Sequence, residues 1–382
     1  MASFDFRPIA LLRTLFRPLD PILLLTLALL LGAAYALMMS ASPERVAALE
    51  MHMLIALLVM WAVALVPAQR LLTLAVPLYL LGVLLLLGVF FFGETSKGAQ
   101  RWLDLGVVRI QPSELMKIAV PLMLAWYFQL REGTVRFRDF IVGAVLLGLP
   151  LGLIVTQPDL GTSLLVGAAG LFVLFFAGLS WKLVIPVTLL VLLGLGVIVS
   201  FGDILCQPEV DWHVLREYQK QRVCTLFDPT RDPLGSGFHT IQSSIAIGSG
   251  GLFGKGWMEG TQTHLAFIPE RHTDFIFSVL AEEFGFVGGM ALLLGYLVLI
   301  LRGLYIAGRA RTFGARLLAG AVSMMIFTYA FVNIGMVSGI LPIVGVPLPF
   351  LSYGGTALVT LCIGIGILMS IKRSRPRVTT KD

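Results

Sequence analysis

Five polar side chains crowd into the six residues Pro269-Glu270-Arg271-His272-Thr273-Asp274 of an otherwise apolar chain. Carboxylates, an imidazole and a guanidinium in one segment are the parts of acid–base and anion-binding chemistry. Asp274, Ser278 and Glu282 are spaced i, i+4, i+8, which predicts one shared helix face with Asp274 at its rim and Glu282 about two turns down. An Asp at a helix start can also be a plain cap, with Thr273 as competitor, and Arg271 and His272 could simply meet lipid headgroups. A cap alone does not need the whole cluster.

Three further segments carry polarity where the chain is otherwise greasy. In Gln111-Pro112-Ser113-Glu114, Pro112 suits a first helical turn and Glu114 lies near the positive end of the helix. Lys117, three residues on, shares its face and is either its structural partner or one wall of an ionised cavity. Gln157-Pro158-Asp159-Leu160-Gly161-Thr162 repeats the Gln-Pro-acid grammar; Asp159 either caps a helix or faces the same cavity. In Pro347 to Thr356, prolines break the chain before Ser352-Tyr353-Gly354-Gly355 opens another helix. Free amides there make either an anion site or an ordinary turn.

Some chemistries are excluded. Gly248 to Gly256 resembles a phosphate loop, but Ser249 stands where its first glycine is required and Gly256 replaces the magnesium-binding hydroxyl. Cys206 and Cys224 are 18 residues apart, which suits neither a zinc site nor a redox motif. They are either free thiols or one disulfide in an oxidising compartment.

The elements that must position these groups are membrane helices. Hydrophobic residues make up 57% of the 382-residue chain and charged residues only 13%, against roughly 25% charged in soluble domains. The apolar residues come in runs of about 20, the length of a bilayer-crossing helix. Ten spans are expected, at 21–40, 48–66, 71–92, 114–130, 138–156, 162–180, 183–201, 274–301, 317–337 and 354–371. The fold class is therefore all-α integral membrane, a single polytopic domain over 1–382. The side bearing both termini holds seventeen Lys and Arg against five acids, the positive-inside signature. That assigns 1–20 and 372–382 to the cytoplasm and 202–273 to a large extracytoplasmic loop between spans seven and eight. The net charge of +6 faces anionic lipid, not nucleic acid. Arg7 to Arg17, with apolar residues interleaved, is either an interfacial helix or a disordered tail.

These motifs, in order and with Lys97-Gly98-Ala99-Gln100-Arg101-Trp102 ahead of them, resemble the SEDS family of bacterial cell-wall proteins over nearly the entire chain. Gly235 to Gly260 and Asn333 to Pro349 resemble its elongation branch more than its division branch. The stretch Asp203 to Val214 is longer than that branch leads one to expect. The resemblance implies a peptidoglycan glycosyltransferase of the bacterial plasma membrane, polymerising lipid II, the undecaprenyl-linked disaccharide-pentapeptide, at the outer face. It implies Asp274 as the general base. Lys97, Arg101 and Lys117 are the candidate diphosphate cations, with Lys117 alternatively tied to Glu114 and Arg109 a weaker candidate. Glu114, Asp159, Glu270, His272 and Ser352 are the other expected substrate-binding residues. No cofactor is certain; a divalent cation, Mg or Mn, at the diphosphate fits the chemistry, though no ligand set is readable. The implied partners are a class B penicillin-binding protein that crosslinks the glycan and other elongation-complex membrane proteins.

Two other classes compete, a lipid II flippase and a non-catalytic scaffold. A flippase needs a polar path through both leaflets, whereas the charged residues here cluster outward, with Glu282 and Glu283 deepest. A scaffold has no need of acid–base groups at a cavity mouth. The topology on which all of this depends is directly testable. A cysteine placed near position 236 should react with an impermeant thiol reagent on intact spheroplasts, and one near position 377 should not; the reverse pattern overturns the orientation.

Overall fold

The computed structural model describes residues 19–96, 99–104, 109–207, 210, 217–231, 236–265 and 270–374. The segment 7–17, Lys97 and residues 375–382 of the expected tail lie outside them. Each expected span is helical: α1 Pro21–Ala41, α2 Val46–Leu65, α3 Ala68–Thr73 continuing into α4 Ala75–Phe92, α5 Pro112–Leu130, α6 Phe137–Thr156, α7 Leu160–Phe176 and α8 Trp181–Leu205. The long connection holds α9 Glu217–Phe227, α10 Ser236–Gly250 and the short α11 Thr261–His264; α12 Ile276–Gly308, α13 Phe313–Val337 and α14 Gly355–Arg373 complete the chain. Seven helices, α1, α2, α4, α6, α12, α13 and α14, are long and apolar enough to cross a membrane by length and composition alone. The chain is a helical membrane protein with one addition that the apolar pattern does not announce. The connection between α4 and α5 folds into a small antiparallel sheet, β1 Glu94–Ser96, β2 Ala99–Asp104 and β3 Arg109–Ile110, in the order β1-β2-β3.

The centre of the bundle is α13, of whose apolar window 78% is buried, and α14, at 72%; the window of α2 is only 17% buried. Lipid tails are as apolar as leucine, so helices associate in a bilayer through close packing of small residues rather than by escape from water. Gly366 of α14 shows this: a Cβ there would lie 2.6 Å from the Met60 carbonyl oxygen of α2.

Polar contacts sort to the two ends of the bundle. At one end Asp20, wholly buried, caps α1 through the amides of Ile22 and Leu23, both at 3.0 Å. The same carboxylate binds Arg302 of α12 at 2.8 Å and Lys372 of α14 at 2.5 Å, so three helices meet on one acid. At the other end lie the connections 93–111, 157–159, 206–275 and 338–354, which touch one another through the contacts described below.

α12 reaches that end through a break. Gly285 adopts φ 63° and ψ −159°, a region closed to side-chain-bearing residues. The helical ladder fails there, and the glycine-rich segment after α10 supplies the missing partners. Phe286 and Val287 donate their amides to the carbonyls of Gly251 (2.9 Å) and Leu252 (3.1 Å), while the amides of Lys255 and Gly256 donate to the carbonyls of Glu282 and Glu283, both at 3.0 Å. The backbones lie so close that Gly250, Gly254 and Gly285 have no room for a Cβ. Non-helical backbone at this depth needs such substitutes.

Cys206, at the C-cap of α8, is disulfide-bonded to Cys224 of α9 across a Cα–Cα distance of 5.5 Å, which resolves the choice between thiols and a bridge. The side chains of α8 are mostly exposed, from Trp181 through Leu193 to Ile204.

The Asp20 cluster gives a measurable stability. Burial alone would raise its carboxyl, but hydrogen bonds from Arg302 and Lys372 outweigh that and hold it at about 2, below the ordinary 3.8. A depressed carboxyl contributes stability that is complete above the unfolded value and lost as the pH falls through the folded one. Asp20→Asn should lower the thermal midpoint at pH 7 by the equivalent of about 3–5 kcal/mol, the usual effect of breaking a buried pair. The gap to wild type should close between about pH 4 and 2. A variant with an unchanged midpoint at pH 7 would remove the cluster from the stability of the bundle.

Candidate active site

Asp274 sits on a turn, not on a helix. α12 starts at Ile276 with Phe275 at its N-cap and no side-chain cap hydrogen bond, so Asp274 is not the helix cap. The expected common face of Asp274, Ser278 and Glu282 is therefore corrected: the turn carries Asp274 away from the other two. Fully buried Ser278 pairs with Ser243 of α10, their hydroxyls 2.9 Å apart.

The turn is fixed from several sides. Glu270 is forced to φ 51°, left-handed backbone rarely taken by a non-glycine residue. Its carbonyl accepts the amides of Thr273 at 3.0 Å and Phe275 at 3.4 Å. The Ser352 hydroxyl donates to the Thr273 carbonyl at 2.6 Å and accepts the Leu348 amide at 2.7 Å. The Tyr353 amide donates to the His272 carbonyl at 2.8 Å. Arg271 spends its guanidinium on the carbonyls of Ala41 (2.6 Å) and Thr263 (2.7 Å). Ser352 and Arg271 are thus scaffolding for the turn, and the half-buried Asp274 carboxylate is what the turn presents. One of its oxygens lies 3.5 Å from the point where Gly345 would carry a Cβ.

The other acids join through the same loop. Asp159 caps α7 by accepting the Thr162 amide at 3.1 Å, and it also accepts from Gln111 at 3.1 Å and faces Arg101 at 3.7 Å. Arg101 donates to the Pro158 carbonyl at 2.8 Å, so the sheet is pinned to the start of α7. Gly161, in the first turn of α7, abuts the carbonyls of Val344 and Gly345, the loop beneath Asp274. Of the two expectations for Asp159, the helix cap is the one the structure shows. The Arg101 side chain keeps 31% exposure and remains open to a ligand.

Lys117 is placed differently from a diphosphate clamp. It is 1% exposed and bonded to Glu114 at 2.5 Å and to the Tyr329 hydroxyl of α13 at 2.6 Å. Glu114 in turn accepts from Thr360 of α14 at 3.3 Å. The pair ties α5 to both central helices, which is the structural alternative of the two expected.

Glu282 and Glu283, the deepest acids, do not line a path. Glu282 accepts from Lys255 at 2.7 Å, from the Gln262 amide at 2.9 Å and from the Thr263 hydroxyl at 3.0 Å; Glu283 accepts from Ser40 of α1. They lock the glycine-rich segment to the break in α12. The match to a phosphate loop was thus a signal of tight backbone packing.

Two residues at the rim, Arg45 and His52, were not singled out from the sequence. Arg45, ahead of α2, stacks its guanidinium over the Tyr353 ring at 5.4 Å. His52 meets that ring at a tilt, 5.5 Å between centroids, and His272 meets it edge-on at 6.0 Å. Burial lowers the pKa of His272, and Arg45 pushes the same way against the raising effect of Glu270, 3.9 Å away. Arg45 looked like one basic residue among many because its partner lies some three hundred residues away in sequence. Arg45, His52 and His272 thus gather on the Tyr353 ring beside the backbone of the Asp274 turn, a cation and imidazoles of the kind that bind anions. Among the described residues no three His, Cys, Asp or Glu side chains converge as a metal-ligating set.

Comparison with known proteins bears directly on this site. The family model described as "Cell cycle protein", FtsW/RodA/SpoVE, matches residues 22–377. The chain is 49% identical over 360 residues to peptidoglycan glycosyltransferase MrdB of Escherichia coli K12, covering 94% of each, and 35% identical over 348 residues to peptidoglycan glycosyltransferase RodA of Treponema pallidum, covering 76% of this chain and 80% of that one. Its fold matches a chain of a solved peptidoglycan synthase complex in which polymerization and crosslinking are coordinated, with 34% identity, a TM-score of 0.76 and coverage of 94% and 98%. It also matches the rod shape determining protein RodA of Thermus thermophilus, with 29% identity, a TM-score of 0.68 and coverage of 93% and 97%. The chain therefore belongs to the FtsW/RodA/SpoVE family, the SEDS family that its motifs resemble, and it is a peptidoglycan glycosyltransferase.

Proposed function

We propose that this enzyme polymerises lipid II at the outer face of the plasma membrane during cell elongation, with both termini cytoplasmic and Asp274 as the general base. A sugar hydroxyl of one substrate attacks the anomeric carbon of another. The new glycosidic bond forms as the bond to the diphosphate breaks, the hydroxyl proton passes to the Asp274 carboxylate, and undecaprenyl diphosphate leaves with the electron pair. Attack from the face opposite the leaving group inverts the anomeric centre. The observation that carries this reading is the Asp274 turn: a half-buried carboxylate outside any helix, its backbone held by Ser352 through Thr273 and by Tyr353 through His272.

The leaving diphosphate gains charge in the transition state and needs cations beside it. Arg101 and Arg45 are the described cations best disposed for that, and Lys97 joins them by resemblance. Lys117 is not in this set, because its ammonium is spent on Glu114 and Tyr329. Any Mg or Mn would arrive with the diphosphate. The crosslinking partner is a class B penicillin-binding protein of the elongation complex. The buried charges favour polymerase over flippase, since each deep acid already has an internal partner. Labelled lipid II and purified protein without an active crosslinker separate the readings: glycan chains mean polymerase, dye-accessible lipid crossing a vesicle means flippase, and neither means scaffold.

Asp274→Asn should cut turnover about 10²–10⁴-fold, the usual contribution of a positioned base, while the protein stays monodisperse and binds lipid II. Near wild-type turnover would move the role to another acid. Glu114→Gln should behave otherwise, losing stability and activity together by about 3–5 kcal/mol in stability, as expected when a buried lysine loses its counter-ion. A fully stable Glu114→Gln with reduced turnover would instead mark Glu114 as a ligand-facing group.

A further inference from the structure

One wholly buried polar side chain touches the Asp274 turn from a helix that the mechanism does not use. Asn333, on α13, is 0% exposed. Its amide nitrogen donates to the Asp274 carbonyl at 2.8 Å and to the Val346 carbonyl at 2.7 Å. Those two carbonyls belong to the two segments that meet at the carboxylate, the turn that carries Asp274 and the loop whose Gly345 lies under it. The other end of the same side chain, Oδ1, is buried with no hydrogen-bond partner.

That asymmetry is informative. A buried oxygen without a partner is destabilising, and an apolar side chain of the same shape would avoid that cost. Packing therefore does not account for an asparagine here; its two donated bonds do. The residues on either side of Asp274 are held through the Glu270 carbonyl, and Thr273 also through Ser352. On the C-terminal side Phe275 caps α12 with no side-chain bond. Asn333 clamps the carbonyl of Asp274 itself and fixes its height above Gly345.

We infer that Asn333 is a positioning residue for the reaction: it holds the Asp274 carboxylate at its working distance from the substrate hydroxyl, by bridging the Asp274 carbonyl to the loop at Val346. The inference rests on Asp274 being the general base. Misplacing a base by about 1 Å costs about a hundredfold in rate, so the clamp acts on turnover rather than on substrate affinity.

The experiment is a double-mutant cycle in lipid II polymerisation with Asn333→Leu, which keeps the branched heavy-atom shape and removes both donated bonds, and Asp274→Asn. Asn333→Ser, too short to reach both carbonyls, serves as the second variant if the leucine protein does not fold. Turnover of the Asn333 variant should fall about 10–100-fold with KM within about twofold of wild type. In the Asp274→Asn background the same change should cause little further loss, because the group it positions is gone. Wild-type turnover, or an equal fold-loss in both backgrounds, would make Asn333 a purely structural residue. If instead Asp274→Asn alone retains near wild-type turnover, the base assignment is what fails, and the cycle shows this separately from the Asn333 arm.

Discussion

The exchange of backbone hydrogen bonds at Gly285 is the constraint on which the site depends. A helix that breaks at membrane depth leaves amides and carbonyls that lipid cannot satisfy. Here the break survives because Gly251, Leu252, Lys255 and Gly256 take over the lost partners. Glu282 then binds the segment's own lysine and the amide after Thr261, so the long connection is stitched to α12 by main chain and side chain together. Removing either half would strand the other, and this mutual need explains how a loop rich in glycine is held in one conformation beside a site that requires accuracy.

From that stitch the rest of the mouth can be followed outward. Arg271 reaches back to Thr263 and across to Ala41, so the turn before α12 inherits the position of the connection and of α1. Ser352 and Tyr353 add the segment before α14. Gly161 brings in α7, and Arg101 brings in the small sheet. Nearly every polar group in this region already has an internal partner. The turn that carries Asp274 is where these segments converge.

The membrane spans were legible because hydrocarbon thickness imposes run lengths that composition cannot hide. Glu114 with Lys117 was legible because a pair three residues apart meets on any helix, and the cap at Asp159 was legible from local spacing. What the sequence could not show were contacts set by the way distant segments fold back. The spacing of Asp274, Ser278 and Glu282 suggested one face, but positive φ at Glu270 and the late start of α12 separate them. Tyr329 and Thr360 close around the Glu114–Lys117 pair from helices more than two hundred residues away. Lys255 finds Glu282, and Arg45 finds Tyr353, only after the bundle is assembled. The small sheet was missed because its strands are a few residues long and lie between two strongly apolar runs.

α8 stands apart from this economy. It shows most of its side chains to the surroundings, and beyond its C-terminus it is fastened to the connection at Cys206 by a covalent bond to Cys224. A helix with so little protein around it is solvated chiefly by acyl chains, so its tilt answers to the thickness and order of the host bilayer. The sulfur bridge converts that lipid dependence into a mechanical linkage, because whatever tilts the helix also pulls on α9, whose Arg222 grips the Ile343 carbonyl beside the loop under the carboxylate.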